Sequence, residues 1–184
     1  MADQKLTQLT ALTALTDDDL FYVVDDPAGV PVGEKVTWAD MVTALTTTAK
    51  ARVYRSAAYT PGASGAVKVP LDAENYDPGN NFDLVNSRFI APFAGYYAVS
   101  GASSIKGATA GDTLITMLYV NGAEYSRGNR VIIGTTGVHA LVISDIVHMA
   151  AGSYVELWVY CSTARAFEVG SGVTHLSVHL LSTN

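Results

Sequence analysis

From Tyr154 to Ser162 the chain alternates strictly: Val155, Leu157, Val159 and Cys161 fall on one side, and Tyr154, Glu156, Trp158 and Tyr160 on the other. A period of two is that of a strand with one face in a core. Val138–Met149 has the same length scale but a different pattern. One face reads Val138, Ala140, Val142, Ser144 and Ile146, and the other reads His139, Leu141, Ile143, Asp145 and Val147. A half-wet strand would carry only one apolar face, so this one is expected to pack on its own core and on a neighbouring subunit. Turn residues punctuate the region from Val53 onward, at Pro61-Gly62, Pro78 to Asn81, Gly107, Gly111-Asp112, Asn121-Gly122, Gly128-Asn129 and Gly134. Short strands with such breaks predict an all-β sandwich.

The first 45 residues follow another pattern. Leucine recurs every third position at Leu6, Leu9, Leu12 and Leu15 with threonine between. That spacing drifts around a helix of 3.6 residues per turn, and threonine lowers helix propensity, so an extended strip laid on another protein is expected. Leu20–Val24 reads as a short strand, Asp25 to Gly29 as a turn, and Lys35–Thr37 as a second strand. Thr37 with Asp40 forms an N-cap pattern opening a helix Trp38–Leu45, whose Trp38, Met41, Val42 and Leu45 share a face. Fewer than about 40 residues rarely build a core unaided. The expected organisation is a module at 1–45, a linker at 46–51 and a β domain at 52–184.

Composition sharpens the partners. Of 184 residues 49% are hydrophobic, which points to surface buried between subunits. No apolar run approaches the roughly 20 residues of a membrane span, and the threonine-studded start forms no signal-peptide core, so neither membrane insertion nor export by a cleaved signal is expected. Eight acids against three lysines in residues 1–50 leave nine acids against eight bases in the remainder. Those bases are scattered from Arg52 to Arg165, whereas neutralising phosphates takes clustered Lys and Arg, which argues against nucleic acid. The single Cys161 alternates in phase with Val155 to Val159 and reads as a core thiol.

Catalytic chemistry finds little to build on. His175 and His179 share a strand face with Ser177, but four residues of extended chain span about 13 Å, too far for one zinc. His139 and His148 are nine residues apart and point to opposite faces. The acidic runs Asp17 to Asp19 and Asp25-Asp26 lack the spacing and glycine of a calcium loop. There is no phosphate loop or nucleophile elbow. No enzyme activity, metal or cofactor is expected. Tyr154, Glu156, Trp158 and Tyr160 form an aromatic face that suits either a subunit contact or the stacking of a sugar ring.

Two resemblances add to this reading. Arg88 to Ser100 sets an apolar pair before a proline turn and then starts a strand with paired tyrosines. With Phe89, Pro92, Gly95, Tyr97, Asn121-Gly122 and Gly152, residues 52–182 resemble the C1q/TNF-like trimeric jelly roll. The chain departs from that family at Ser153, where Asp is usual, and at Leu176 to Leu181, where an aromatic-glycine ending is usual. Residues 4–45 resemble the N-terminal attachment segments of bacteriophage fibre and head-fibre proteins, through Leu9 to Thr13, Asp19-Leu20, Val23 to Asp26, Lys35 to Thr37 and Asp40.

Together the resemblances imply a jelly-roll β-sandwich with a small strand/helix attachment module. The protein would be a homotrimeric virion surface appendage, a head fibre or decoration or a short tail fibre. Leu6, Leu9, Leu12, Leu15, Trp38, Met41 and Leu45 would attach it to a capsid or tail protein. Leu141, Ile143, Val147, Tyr154, Trp158 and Tyr160 would form the trimer interface. The alternative is a receptor-recognition knob at a fibre tip, with a host surface glycan as ligand; the absence of a collagen-like stalk argues against a bacterial TNF-like surface protein.

Overall fold

The structure is a computed structural model and describes residues 20–25, 32–38, 49–62 and 64–183, with side chains from residue 35 onward. The chain divides into two compact units, Met1–Thr47 and Thr48–Asn184. In the first, β1 (Leu20–Asp25) and β2 (Val32–Thr37) pair antiparallel, with Leu20 opposite Thr37 and Asp25 opposite Val32. Trp38 leaves the second strand with helical backbone and is half-buried.

The second unit is a β-sandwich. Its strands are β3 (Lys50–Tyr54), β4 (Gly65–Lys68), β5 (Ala73–Tyr76), β6 (Phe82–Asp83), β7 (Arg88–Ile90), β8 (Gly95–Ala108), β9 (Thr113–Val120), β10 (Ala123–Arg127), β11 (Val131–Ile132), β12 (Gly137–Met149), β13 (Tyr154–Cys161), β14 (Ala166–Phe167) and β15 (His175–Thr183). Among the described residues they form two antiparallel sheets. A six-stranded sheet runs β12-β8-β15-β3-β5 with β14 beside β8. A seven-stranded sheet runs β10-β9-β13-β7-β6 with β11 beside β9 and β4 beside β13. The all-β jelly-roll sandwich expected from the sequence is the fold observed.

Alternation decides which side chains meet between the sheets. Leu141, Ile143, Val147 and Met149 of β12, Val99 and Ile105 of β8, and Leu176 and Val178 of β15 face Leu114 and Leu118 of β9 and Val155, Leu157, Val159 and Cys161 of β13. Cys161 is a core thiol, its pKa pushed up to about 11 by burial and by nearby Asp112. Ala49 and Ala51 lie in the same core. The segment read from the sequence as a linker therefore ends earlier than expected, and the sandwich begins before residue 52.

The Arg88–Ser100 motif has a physical reason. Phe89 and Tyr97 are fully buried and meet edge to face at 5.9 Å. The Tyr97 hydroxyl donates to the Phe93 carbonyl at 2.7 Å, closing the turn that contains Pro92. Gly95 packs so closely on β15 that a Cβ there would collide with the carbonyl of Ser182. Gly152 turns the chain from β12 to β13 with φ +81, and its N–H donates to Ala91 at 2.8 Å.

Candidate interaction surfaces

The outward face of the six-stranded sheet is built by register. Val142 lies opposite Ala102, Ser144 opposite Ser100, Ile146 opposite Ala98 and His148 opposite Tyr96. On the other side of β8, His175 meets Ala102, Ser177 meets Ser100 and His179 meets Ala98. Small residues thus pave the middle of the sheet while large ones stand at its margins. The result is a trough of about 500 Å³ bounded by Ile146 on one side and by Tyr76 and His179 on the other. The outward face around it is unusually apolar for open surface: Val142 is 74% exposed, Ile146 58%, Val138 50% and Tyr96 48%. Exposed apolar side chains gathered on one face, rather than scattered singly, mark a contact surface.

The polar groups of this face are ordered. Arg52 donates from Nη1 to Ser177 Oγ at 2.8 Å and from Nη2 to the Ser171 carbonyl at 2.8 Å. His175 lies beside it with Nδ1 buried and, among the described residues, without a hydrogen-bond partner. Burial first, and the Arg52 charge second, hold the His175 pKa below its ordinary value, so the imidazole is neutral at pH 7. Tyr96 and His148 meet tilted at 4.9 Å, one pair further along the same face beyond Ile146 and Ala98.

The outer face of the seven-stranded sheet has a different chemistry. Trp158 lies opposite Met117 on one side and Lys68 on the other, and Tyr160 lies opposite Ile115 and Ala66. Tyr119 stacks on Trp158 at 4.4 Å. The Glu156 carboxylate is buried and receives Lys68 Nζ at 2.9 Å and Trp158 Nε1 at 2.9 Å. Arg88 lies over the Tyr154 ring at 4.7 Å. Three members of the aromatic face expected from the sequence are therefore engaged within the chain, and the fourth, Tyr160, borders an open groove. That groove, of about 330 Å³, runs between Tyr160 and the Arg127–Arg130 edge.

Two sequence expectations need correction or placement. Leu141, Ile143 and Val147 were expected at the trimer interface, but they are buried in the sandwich. Both faces of β12 are apolar, and it is the Val138-Val142-Ile146 face that remains outside. Tyr154, Trp158 and Tyr160 are half-buried on the opposite sheet. Of the expected attachment residues, Trp38 is half-buried, while Leu6, Leu9, Leu12, Leu15, Met41 and Leu45 lie outside the described residues. The small-residue trough was missed altogether. Among the described residues no three His, Cys, Asp or Glu side chains cluster as a metal site, and no helix is long and apolar enough to cross a membrane.

Comparison with known proteins places the fold. The globular domain of zebrafish complement 1qA superposes with TM-score 0.56 at 12% identity, covering 74% of this chain and all (100%) of that one. Eiger TNF from S. frugiperda gives 0.55 at 12% identity, covering 75% and 95%. Murine APRIL gives 0.53 at 11% identity, covering 72% and 98%. The sandwich is thus a C1q/TNF-like jelly roll, and at such identities the likeness is one of fold. In sequence, the uncharacterized protein YqcC of Bacillus subtilis (strain 168) is 30% identical over 106 residues, 52% of this chain and 27% of that protein. No family model matches.

Proposed function

We propose that this chain is a homotrimeric structural protein of a virion surface, with its jelly-roll knob assembled through the outward face of the six-stranded sheet. The observation that carries the reading is the exposed apolar face of Val138, Val142, Ile146 and Tyr96, on the same side of the sheet as the alanine and serine trough. Apolar side chains so exposed in one chain gain about 25 cal/mol per Å² when a second copy covers them. A floor of small residues lets the partner's backbone come close. Contact between one copy's trough and a different patch on the next is heterologous, and such contacts close into rings when the rotation allows. The C1q/TNF-like fold supports a knob of this kind and suits a binding or structural role better than catalysis.

Residues 1–45 are the module that holds the knob to a capsid or tail protein, as a head fibre or decoration or as a short tail fibre. The leucine strip and the Trp38 region support this part. Three tethered anchors would add by avidity, so that individually weak contacts hold the appendage firmly. Sedimentation of the full chain tests the assembly: the expected mass is three times 19.4 kDa, and a monomer at micromolar concentration would overturn it. Attachment is tested by adding the full chain to particles prepared without it. Leu12→Asp combined with Trp38→Asp should abolish decoration while leaving the trimer intact, and full occupancy by that variant would place attachment elsewhere.

A further inference from the structure

We propose that the groove on the outer face of the seven-stranded sheet binds a carboxylate-bearing sugar ring, such as a hexuronic acid. This goes beyond assembly, since the groove lies on the sheet opposite the trough.

The register builds it. Met117 of β9 sits between Trp158 of β13 and Arg127 of β10, and Ile115, two residues back, sits opposite Tyr160. β10 then breaks at Gly128, whose N–H donates to the Thr116 carbonyl at 2.8 Å, and the chain resumes as β11 against Leu114 and Thr113. The break brings Arg130 to the mouth of the groove, across from Tyr160. The floor of Ile115 and Met117 is apolar, one wall is an aromatic ring and the other is cationic.

The two arginines are not equivalent. Arg127 is clamped by Glu124 through Nε to Oε1 and Nη2 to Oε2, both at 2.7 Å, which neutralises it and holds the Glu124 pKa below its ordinary value. Arg130 is exposed and makes no hydrogen bond or ion pair among the described residues. The groove therefore presents one uncompensated guanidinium, in a chain whose net charge is −6. A guanidinium takes a carboxylate by two parallel hydrogen bonds. The half-buried Tyr160 ring offers a flat apolar surface to the C–H face of a pyranose. Sugar hydroxyls would find Thr113 and the outer edge of the Glu124 carboxylate at the rim. The volume, about 330 Å³, lies at the lower end of small-molecule sites and suits a single ring.

The test uses two probes that differ only at C6, methyl glucuronoside and methyl glucoside, titrated into the full chain and read by saturation-transfer NMR and by backbone shifts. The glucuronoside is expected to bind about tenfold more tightly than the glucoside, the scale of one charge-assisted contact. Shift changes should centre on β9, β13 and residues 127–131. Arg130→Ala should remove that preference with the melting temperature unchanged, and Arg130→Lys should keep part of it. Tyr160→Ala should weaken both probes together. Equal binding of the two probes, shifts centred elsewhere, or an Arg130→Ala chain that still prefers the acid would overturn the proposal. Displacement of the glucuronoside by acetate at equal concentration would reduce the site to a simple carboxylate site and overturn its assignment to a sugar.

Discussion

Single residues at the sheet margins hold this sandwich in shape. Gly95→Ala would drive a Cβ into the Ser182 carbonyl and against Leu180, so backbone of β15 must move. A loss of about 1–3 kcal/mol is expected on chemical denaturation, in the range of overpacking. Asp112 ties the β8–β9 turn: its Oδ2 accepts from the Thr109 N–H at 2.8 Å and from Arg165 Nε at 2.8 Å. These bonds, the Thr109 one foremost, hold its pKa down at about 2 against an ordinary 3.8. The contribution is complete above 3.8 and is lost as pH falls through that value towards about 2. His175 acts in the same direction at higher pH. Its pKa is depressed in the fold, so below the ordinary 6.5 the unfolded chain takes the proton first and stability falls. Melting temperature plotted against pH should therefore drop in two limbs. Asp112→Asn should flatten the acid limb, and His175→Gln the one just below 6.5.

Among the elements, β12 separates core from outward face most cleanly. Leu141→Asp buries a charge in the sandwich and should cost several kcal/mol or prevent folding. Val142→Asp with Ile146→Asp alters only the outward face, so the fold should melt within a few degrees of the parent while sedimentation shifts to monomer. Equal loss of folding in both variants would mean that the outward face serves stability of the single chain. The sequence displayed the strand and its two apolar faces, but not which one turns inward. That choice depends on β8, where the partners of Val142 and Ile146 are Ala102 and Ala98, 40 and 48 residues earlier in the chain, and on β15 beyond it. The trough was illegible for the same reason: Ser100, Ser144 and Ser177 become a floor only once three distant strands are in register. Glu156 alternated correctly with Trp158 and Tyr160. Its cation, Lys68, stands 88 residues earlier, so an apparently free carboxylate was in fact neutralised. Cys161 was legible because its environment is set by its own strand.

For the whole molecule, the order of strands in space differs from their order along the chain. β15 lies between β8 and β3 and bonds to both along most of its length. Before it arrives, the sheet consists of two separate pieces, β12 and β14 with β8, and β3 with β5. During synthesis these pieces must wait, their facing edges unpaired, until residues 175–183 have left the ribosome. Closure then joins strands more than a hundred residues apart, from Ala51 to Val178, a non-local step of the sort that folds in about milliseconds to seconds. A chain ending at Thr174 should remain unfolded and aggregate, whereas adding the missing strand as a peptide during refolding should restore soluble protein. In the assembly proposed above, docking would follow folding, because the segment that completes the sheet also lines the trough with Ser177 and His179.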